Sequence, residues 1–473
     1  MTVYVLNKSF TKRKPNKRKD KMEKLPFERP VIKKLVAGMP SKFGMKTAVT
    51  PVTHIDGVAV KDMMDEHGSP LFVISEKTLR KTYREAKRAF DTRYPKVQFA
   101  WSYKTNYLNA VCSVYHQEGS WAEVVSGFEY DKAIAMGVEG SRIIFNGPDK
   151  TREDLLKAIN NNSLIHIDHF DEMYTLTELA GETGKKPKVA IRVNMDVGVY
   201  PMWDRFGFNY DNGEAWDALN RIMTGGKLEL TGLHTHIGTY MMTADAYRAA
   251  AAKLAELAAG LVNKYGHVVS YIDIGGGFAS KNTLKGAYYQ GTDTTPDFDE
   301  YAEAIVKSIV NSSIKPENMP LLILETGRAI VDDAGYILGT VIANKRLSDG
   351  RRATIIDVGV NLLFTSFWYD HQMNPAQPMS EQTEETTVYG PLCMNIDVIK
   401  EAAVLPLFKK GDRVVISRVG AYNVTQWMQF ITLRPRVVMI DNEGKVHIVR
   451  EREKLETLTN LEKVPDHLKE FKL

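Results

Sequence analysis

Short apolar runs alternate with longer helical stretches between residues 97 and 325. Between the runs, apolar residues recur at helical spacing, as in residues 244–264, and glycines mark the turns. Eight strand–helix units over about 230 residues match a (β/α)8 barrel, whose strands are buried on both faces and therefore read as continuous apolar runs. The eight runs are VQFAWS (97–102), WAEVV (121–125), IIFNG (143–147), LIHID (164–168), KVAIRVN (188–194), LTGLHTH (230–236), SYIDI (270–274) and LLILE (321–325).

The pattern changes after residue 335, where strand-like pieces follow one another without long helices. Glycine and proline separate these pieces, as is typical of an all-β domain, and one more such run, SPLFVIS (69–75), precedes the barrel. We therefore predict a basic N-terminal extension (1–50), a barrel (76–335) and a β-rich domain formed by residues 51–75 together with 336–462. The later pieces are GYILGTVIAN, RATIIDVGV, TTVYGPLC, DRVVISRVGAY and PRVVMID.

Composition and charge narrow the class of protein. A chain of 473 residues with 44% hydrophobic residues and only two cysteines, Cys112 and Cys393, predicts a cytoplasmic globular protein without membrane spans. The net charge of +4 arises from residues 1–24, where nine basic residues outweigh two acidic ones. The rest of the chain carries a net charge of −3, so nothing in its body indicates a nucleic-acid partner.

Two neighbouring predicted strands end in residues suited to holding a phosphate. In a barrel of this kind, active-site groups lie at the C-terminal ends of the strands, and phosphate is often bound after strands seven and eight. The seventh run leads into Gly275–Gly277 and the eighth into Glu325–Arg328. Successive glycines let N–H groups approach an anion, and Arg328 adds a charge-assisted contact. A glycine run alone is equally compatible with a flexible turn.

Lys104 follows the first run, and Glu325 closes the eighth. A lysine that faces a barrel interior can have its pKa lowered by desolvation and nearby cations, which leaves a free amine for a carbonyl group. The alternative is an ammonium group paired with Glu123 or Glu325. A buried acid such as Glu325 needs a cationic partner, which could be a pyridinium N–H, Arg192 or Arg328.

The sixth run ends in two histidines, His234 and His236. Residues two apart point to the same face of a strand, so a metal pair is conceivable. No carboxylate stands at a recognisable ligand spacing beside them. We therefore expect no metal site and favour an imidazole that stacks on a flat ring.

Together these motifs resemble the fold-type III decarboxylases that depend on pyridoxal 5′-phosphate (PLP), the group of diaminopimelate and eukaryotic ornithine decarboxylases. The likeness spans roughly residues 55–440 and implies an alanine racemase-like PLP-binding barrel, an amino-acid substrate and a homodimer with two shared sites. Lys104 in YKTN matches the Schiff-base lysine, and His236 in HIGT matches the histidine that stacks on the cofactor. The implied cofactor-binding residues are Lys104, Glu123, His236, Thr239, Gly275, Gly276, Gly277, Glu325, Gly327, Arg328 and Tyr422.

The resemblance also implies catalytic and substrate-binding residues. Lys104, His236 and Cys393 would be catalytic, and Cys393 in GPLC resembles a cysteine contributed by the partner subunit; Cys393 or Lys104 would donate the proton that replaces CO2. Met394 stands where an acidic residue usually reads a distal amine, and Thr365 stands in place of the arginine that diaminopimelate enzymes use.

A further residue, Asp370, matches an aspartate that ornithine-type enzymes direct at a diamine. Together with Thr365, Cys393 and Met394 it makes up the implied substrate site. We therefore expect an amino acid other than diaminopimelate, either cationic, modified or carrier-bound.

Three other interpretations compete with decarboxylation. A PLP-dependent racemase needs a base on each face of the Cα, which the sequence does not measure. A Schiff-base aldolase on a plain barrel would explain Lys104 but leave the β-rich half unused. A non-catalytic regulatory relative would have no need to keep Lys104, Glu325 and Cys393 together.

Overall fold

The computed structural model describes residues 49–469, and the fold begins with a small hairpin. The hairpin consists of β1 (His54–Ile55) and β2 (Val58–Ala59), which pair antiparallel. It is followed by α1 (Val60–His67) and by a fully buried strand, β3 (Leu71–Ser75). Most of the predicted N-terminal extension, residues 1–50, lies outside the described residues.

A closed barrel of eight parallel strands forms the centre of the fold, so the predicted (β/α)8 barrel is confirmed. The strands follow in the circular order β4, β5, β6, β7, β8, β10, β11, β12, and β12 pairs with β4 to close the ring. A two-residue strand, β9 (Phe208–Asn209), pairs in parallel with the last two residues of β8. The barrel strands are β4 (Val97–Ser102), β5 (Trp121–Val124), β6 (Ile143–Phe145), β7 (Leu164–Ile167), β8 (Lys188–Asn194), β10 (Glu229–His234), β11 (Tyr271–Asp273) and β12 (Leu321–Leu324).

Helices surround the barrel, and six of those described begin at a side-chain cap. The longest, α8, starts at Thr243, whose side chain accepts a hydrogen bond from the Asp245 N–H, and it ends at Gly266 in the left-handed conformation. In α10, Asp297 and Glu300 form a reciprocal capping box. The helices are α2 (Glu76–Asp91), α3 (Asn109–Gln117), α4 (Gly127–Ala135), α5 (Arg152–Asn160), α6 (Phe170–Thr183), α7 (Glu214–Gly225), α8 (Ala244–Tyr265), α9 (Gly291–Thr294), α10 (Phe298–Val310) and α11 (Arg328–Val331).

Side chains fill the barrel interior, as expected for a packed core rather than a pore. Six strands contribute to one apolar layer, in which small and large residues meet. This apolar layer fills the barrel interior, and the polar groups lie at the C-terminal ends of the strands. The layer consists of Ala100, Ile144, Leu164, Ala190, Tyr271 and Ile323.

The chain from residue 335 onward builds a mixed β-sheet. Its strand order is β17, β16, β14, β13, β3, β19, β20, while β18 pairs with both β13 and β15. The early strand β3 lies in this sheet, antiparallel to β13 and parallel to β19. A short helix, α12 (Leu455–Thr459), follows. The strands are β13 (Gly335–Arg346), β14 (Arg352–Ile356), β15 (Met373–Pro375), β16 (Thr383–Tyr389), β17 (Val398–Pro406), β18 (Arg413–Ser417), β19 (Arg436–Ile440) and β20 (Val446–Arg450).

Barrel and sheet pack together, and every described residue belongs to one compact unit. The side chain of Asn106 donates to the Gly420 carbonyl (2.9 Å), and the Tyr422 N–H donates to the Thr105 carbonyl (2.8 Å). Both contacts are made by the residues directly after Lys104, and they hold Tyr422 of the β-rich region beside this lysine. The boundaries between the predicted domains stay predictions. Among residues 49–469, no helix has the length and hydropathy needed to cross a membrane.

Candidate active site

A cavity of about 570 Å³ opens at the C-terminal ends of the barrel strands. Its inner part is lined by charged and polar residues of the barrel, and its outer part by aromatic residues from the barrel loops and the β-rich region. The lining residues are Ser102, Lys104, Thr105, Glu123, Val125, Asn146, Gly147, Pro148, Arg192, Trp203, Phe206, His234, His236, Thr239, Tyr240, Gly277, Leu284, Glu325, Gly327, Arg328, Thr365, Trp368, Tyr369, Tyr422 and Gln426.

Lys104 lies in a short helical turn directly after β4 and forms an ion pair with Glu123. Its Nζ is 2.7 Å from Glu123 Oε1 and 2.6 Å from Oε2. Burial alone would lower the pKa of Lys104, but the negative charges of Glu123 and Glu325 outweigh burial and raise it. Of the two arrangements considered for Lys104, the ammonium group paired with Glu123 is the one observed, because a carboxylate rather than a cation faces the amine.

Glu325 follows β12 and is buried, with two partners on its two oxygens. Oε1 accepts a hydrogen bond from Asn146 Nδ2 (2.5 Å), and Oε2 lies 3.4 Å from His234 Nε2. Asn146 Nδ2 also lies 3.1 Å from Glu123 Oε1, so one amide group bridges both acids. Sequence reasoning missed Asn146, although its position directly after the buried run IIF was a usable signal.

Arg192 was considered only as a partner of Glu325, and its place in the lining of the cavity was not predicted. It projects from β8 into the cavity, 3.6 Å from Asp168 and with its guanidinium 4.4 Å from the centre of the Phe206 ring. Burial lowers the pKa of Arg192. Of the partners considered for Glu325, Arg192 is thus directed mainly towards Asp168.

Arg328 has two nitrogens without a partner among residues 49–469. Its Nε and Nη1 are buried and unpaired, while Nη2 reaches the Thr239 hydroxyl at 3.5 Å. The guanidinium lies 4.6 Å from the ring of Tyr422 and 5.2 Å from that of Tyr369. Buried, unpaired guanidinium nitrogens are suited to an anion that supplies the missing acceptors.

The glycine loop after β11 takes a backbone path that needs glycine. Gly275 and Gly277 have φ angles of 71° and 93°, and a Cβ on Gly277 would lie 2.2 Å from the Gly238 carbonyl oxygen. The Gly275 N–H donates to Asp273 (2.8 Å), and the Gly276 N–H donates to His236 Nδ1 (3.1 Å). Two of the three N–H groups are therefore engaged within the protein, and Gly277 is the member that lines the cavity.

His236 lines the cavity with its orientation fixed by the Gly276 N–H. Burial, together with the charge of Arg192, holds the pKa of His236 well below its usual value. The ring of Trp203 lies 5.7 Å from the imidazole. His236 is therefore neutral and free to stack on a flat ligand.

The residues assigned to the substrate are not brought together by a single chain. Thr365 lines the cavity, but its hydroxyl group is bonded to His371 (2.8 Å) and Asn423 (2.9 Å). Asp370 lies outside the lining and pairs with Lys400.

The two other assigned residues, Cys393 and Met394, also lie outside this chain's cavity, and Cys393 is exposed. Their roles stay predictions.

Around one cavity, a closed (β/α)8 barrel places a lysine, two buried acids and an arginine with two unpaired nitrogens among the described residues. This arrangement defines the class of protein, an enzyme that holds an anionic cofactor with a carbonyl group. Residues 77–332 match the family model described as "Pyridoxal-dependent decarboxylase, pyridoxal binding domain". The chain belongs to this family of fold-type III PLP-dependent decarboxylases.

Relatives with known names and structures agree. Diaminopimelate decarboxylase of Methanothermobacter thermautotrophicus is 29% identical, covering 88% of this chain and 96% of the relative, and that of Bacillus subtilis is 28% identical, covering 86% and 94%. The crystal structure of the Methanocaldococcus jannaschii enzyme in complex with L-lysine matches with a TM-score of 0.82 and 27% identity, covering 90% of this chain and 100% of that chain. A lysine/ornithine decarboxylase from Vibrio vulnificus, at 19% identity and a TM-score of 0.69, shows the shared fold alone.

The residues of the cavity fit PLP. The unpaired nitrogens of Arg328 suit a phosphate, and the buried Glu325 suits a protonated ring nitrogen. Lys104 reaches the same cavity from the first barrel strand. The chain is a PLP-dependent amino-acid decarboxylase.

Proposed function

We propose that this enzyme decarboxylates an amino acid other than diaminopimelate, one that is cationic, modified or carrier-bound, and that it acts as a homodimer. The observation that carries the substrate proposal is the outer part of the cavity. Trp203, Phe206, Leu284, Trp368 and Tyr369 line it.

A distal carboxylate would find no free cation in this outer part. Apart from Lys104, the cations among the lining residues are Arg192, which faces Asp168 and Phe206, and Arg328, which lies among tyrosines. Burying a carboxylate without a cationic partner is costly. Aromatic rings, in contrast, favour a cation through their π-faces or an apolar modifying group through contact area.

The chemistry divides between cofactor and protein. When bound, PLP supplies an electron-withdrawing ring that takes up the electron pair left when CO2 departs. The ion pair with Glu123 favours the charged ammonium of Lys104, so the amine would have to pass a proton to Glu123 before it could act as a nucleophile. Glu325 would hold a proton at the ring nitrogen, and the neutral His236 would pack against the ring face. Thr239, Gly277, Gly327, Arg328 and Tyr422 would hold the phosphate.

Lys104 and Cys393 are the two candidates for the proton that replaces CO2 on the substrate. Lys104 reaches the cavity within its own chain, whereas the exposed Cys393 would reach the cavity of a partner subunit. Exposed apolar side chains near these segments, Phe367, Trp368 and Ile396, support a surface that pairs with a second copy.

A substrate panel tests the activity. Release of CO2 is measured with L- and D-lysine, L-ornithine, L-arginine, their acylated derivatives, a carrier-bound aminoacyl thioester and meso-diaminopimelate. We expect CO2 from one of the cationic, modified or carrier-bound compounds, with a kcat/KM well above that for diaminopimelate. The highest kcat/KM for diaminopimelate would contradict the substrate proposal, and racemised substrate without CO2 would contradict decarboxylation.

Subunit mixing tests the shared site. Lys104→Ala and Cys393→Ala are prepared separately and then unfolded and refolded together. If Cys393 serves the partner's cavity, mixed dimers regain one intact site, and about one quarter of wild-type activity returns at equal amounts. A mixture no more active than its components would contradict the shared site.

A further inference from the structure

A buried polar cluster includes two residues that line the cavity and two that do not. It consists of His166 on β7, His234 on β10, Asp273 on β11 and Glu325 after β12, and all four side chains are buried. One polar atom of each lies within 4.8 Å of those of the others. His234 and Glu325 line the cavity, while His166 and Asp273 do not.

The hydrogen bonds leave one oxygen of Asp273 without a donor. Oδ1 accepts from the Gly275 N–H (2.8 Å), but Oδ2 has no partner among residues 49–469. His166 Nε2 is bonded to the Tyr271 hydroxyl (2.9 Å). Among residues 49–469, neither ring nitrogen of His234 has a hydrogen-bond partner, although Nε2 lies 3.4 Å from Glu325 Oε2. The two imidazoles lie 4.6 Å apart. A buried oxygen of this kind is costly unless a proton or a cation satisfies it.

No positive charge in the cluster balances two carboxylates. Burial holds the pKa values of His166 and His234 well below the usual value, so both rings are neutral. The nearby cations are each directed at another acid: Lys104 at Glu123, Arg192 at Asp168 and Lys150 at Glu172.

Two buried carboxylates this close together repel each other, and a proton on one of them relieves that repulsion. Glu325 has an amide donor in Asn146 and faces the cavity, whereas Asp273 has a single backbone donor. Burial, reinforced first by the charge of Glu325 and further by that of Glu123, raises the pKa of Asp273 well above its usual value. The proton therefore belongs on Asp273.

We propose that Asp273 is a positioning residue that stays protonated and donates through Oδ2 to the carboxylate of Glu325. Because Oδ1 accepts from the Gly275 N–H, this aspartic acid ties the glycine loop to the acid at the other end of the cofactor site. The role of Glu325 at the ring nitrogen rests on the proposed function. The protonation of Asp273 does not.

The first test compares Asp273→Asn with wild type in thermal unfolding of the holoenzyme between about pH 5 and pH 9, a range above the usual aspartate pKa of about 4. A raised pKa in the folded state gives stability that is complete below the unfolded-state pKa and declines as the pH rises. Asparagine does not titrate, so the Tm of the variant should rise relative to wild type with increasing pH. A relative Tm that falls or stays level would overturn the proposal.

Glu453→Gln provides the matched control. Glu453 is a buried acid of the β-rich region, held by Arg434 and Arg450. Burial opposes ionisation of Glu453, but the Arg434 N–H and the two arginines outweigh burial and lower its pKa. Its titration lies below the tested range, so its Tm deficit should be the same at every pH tested.

Infrared spectroscopy reads the proton directly. A protonated carboxylic acid has a C=O stretch separate from that of carboxylates, and we expect the neutral-pH spectrum of wild type to show one that Asp273→Asn lacks. Identical spectra would overturn the proposal. This measurement needs no substrate, so it stands even if the enzyme fails to decarboxylate any compound in the panel.

A mutation pair tests positioning. Asparagine can donate through Nδ2 and accept through Oδ1, so Asp273→Asn should keep PLP affinity within about two-fold of wild type, whereas Asp273→Ala should lower it about ten-fold. An equal loss in both variants would contradict a neutral donor.

Two histidines and two carboxylates can also bind a divalent metal. Stoichiometric metal in the purified protein that Asp273→Asn removes would likewise overturn the proposal.

Discussion

The inner and outer parts of the cavity are built on different principles. In the inner part, Lys104, Glu123, Asn146 and Glu325 contact one another at 2.5–3.1 Å, and all four come from the barrel of one chain. In the outer part, Trp203 and Trp368 are partly exposed, and the residues assigned to the substrate do not meet. The barrel therefore holds the chemistry, while substrate choice depends on loops, the β-rich region and a second copy.

The largest effect is expected from Glu325→Gln, which changes the inner part without changing its shape. Glutamine keeps an oxygen for Asn146 but carries no charge for a protonated ring nitrogen, so kcat should fall about 10²- to 10³-fold. Steady-state CO2 release measures it. The same exchange at Glu453, which does not line the cavity, should leave kcat unchanged. A Glu325→Gln enzyme with wild-type kcat would contradict the assignment of the chemistry to the inner part.

A smaller loss is expected from Asn146→Ala. Both Glu123 and Glu325 lose a donor in a buried site, which should cost about 1–3 kcal/mol of unfolding free energy and lower kcat about ten-fold. Denaturant unfolding and CO2 release measure the two effects. Asn344→Ala is the control, because Asn344 bonds the Phe408 carbonyl in the β-rich region (3.1 Å) and should lose stability alone.

The smallest effect is expected from Asp370→Asn in the outer part. Its ion pair with Lys400 is half-exposed, so stability should change by less than about 1 kcal/mol. If Asp370 binds the distal cationic group of a substrate in the partner subunit's cavity, KM should rise several-fold with kcat unchanged. Asp349→Asn, an exposed acid paired with Arg351, should leave both constants unaltered. An unaltered KM for Asp370→Asn would count against its role.

The barrel could be predicted from the sequence because its strands are buried on both faces. All eight apolar runs became barrel strands, including the three-residue strands β6 and β11, and SPLFVIS became β3 of the second sheet. The sequence left open whether Lys104 has a free amine or an ion pair with Glu123 or Glu325, since the choice depends on which side chains of neighbouring strands face the amine.

The positions of Asn146 and Asp273 at strand ends are visible in the sequence, but their roles could not be predicted from it, because each role depends on an acid that is distant in sequence. Asn146 joins Glu123 to Glu325, which lies 179 residues further along the chain. The sequence places such residues at strand ends. Only the closed barrel brings the strand ends together.

Reduction of the holoenzyme with borohydride, followed by peptide mass spectrometry, tests the central claim most directly. It fixes the cofactor covalently to whichever lysine holds it. We predict a phosphopyridoxyl group on the peptide that contains Lys104, and none in Lys104→Ala. Lys150, a buried lysine paired with Glu172 at 2.7 Å, is the internal comparison and should stay unmodified. Labelling of Lys150 or of any other lysine in place of Lys104 would contradict the account.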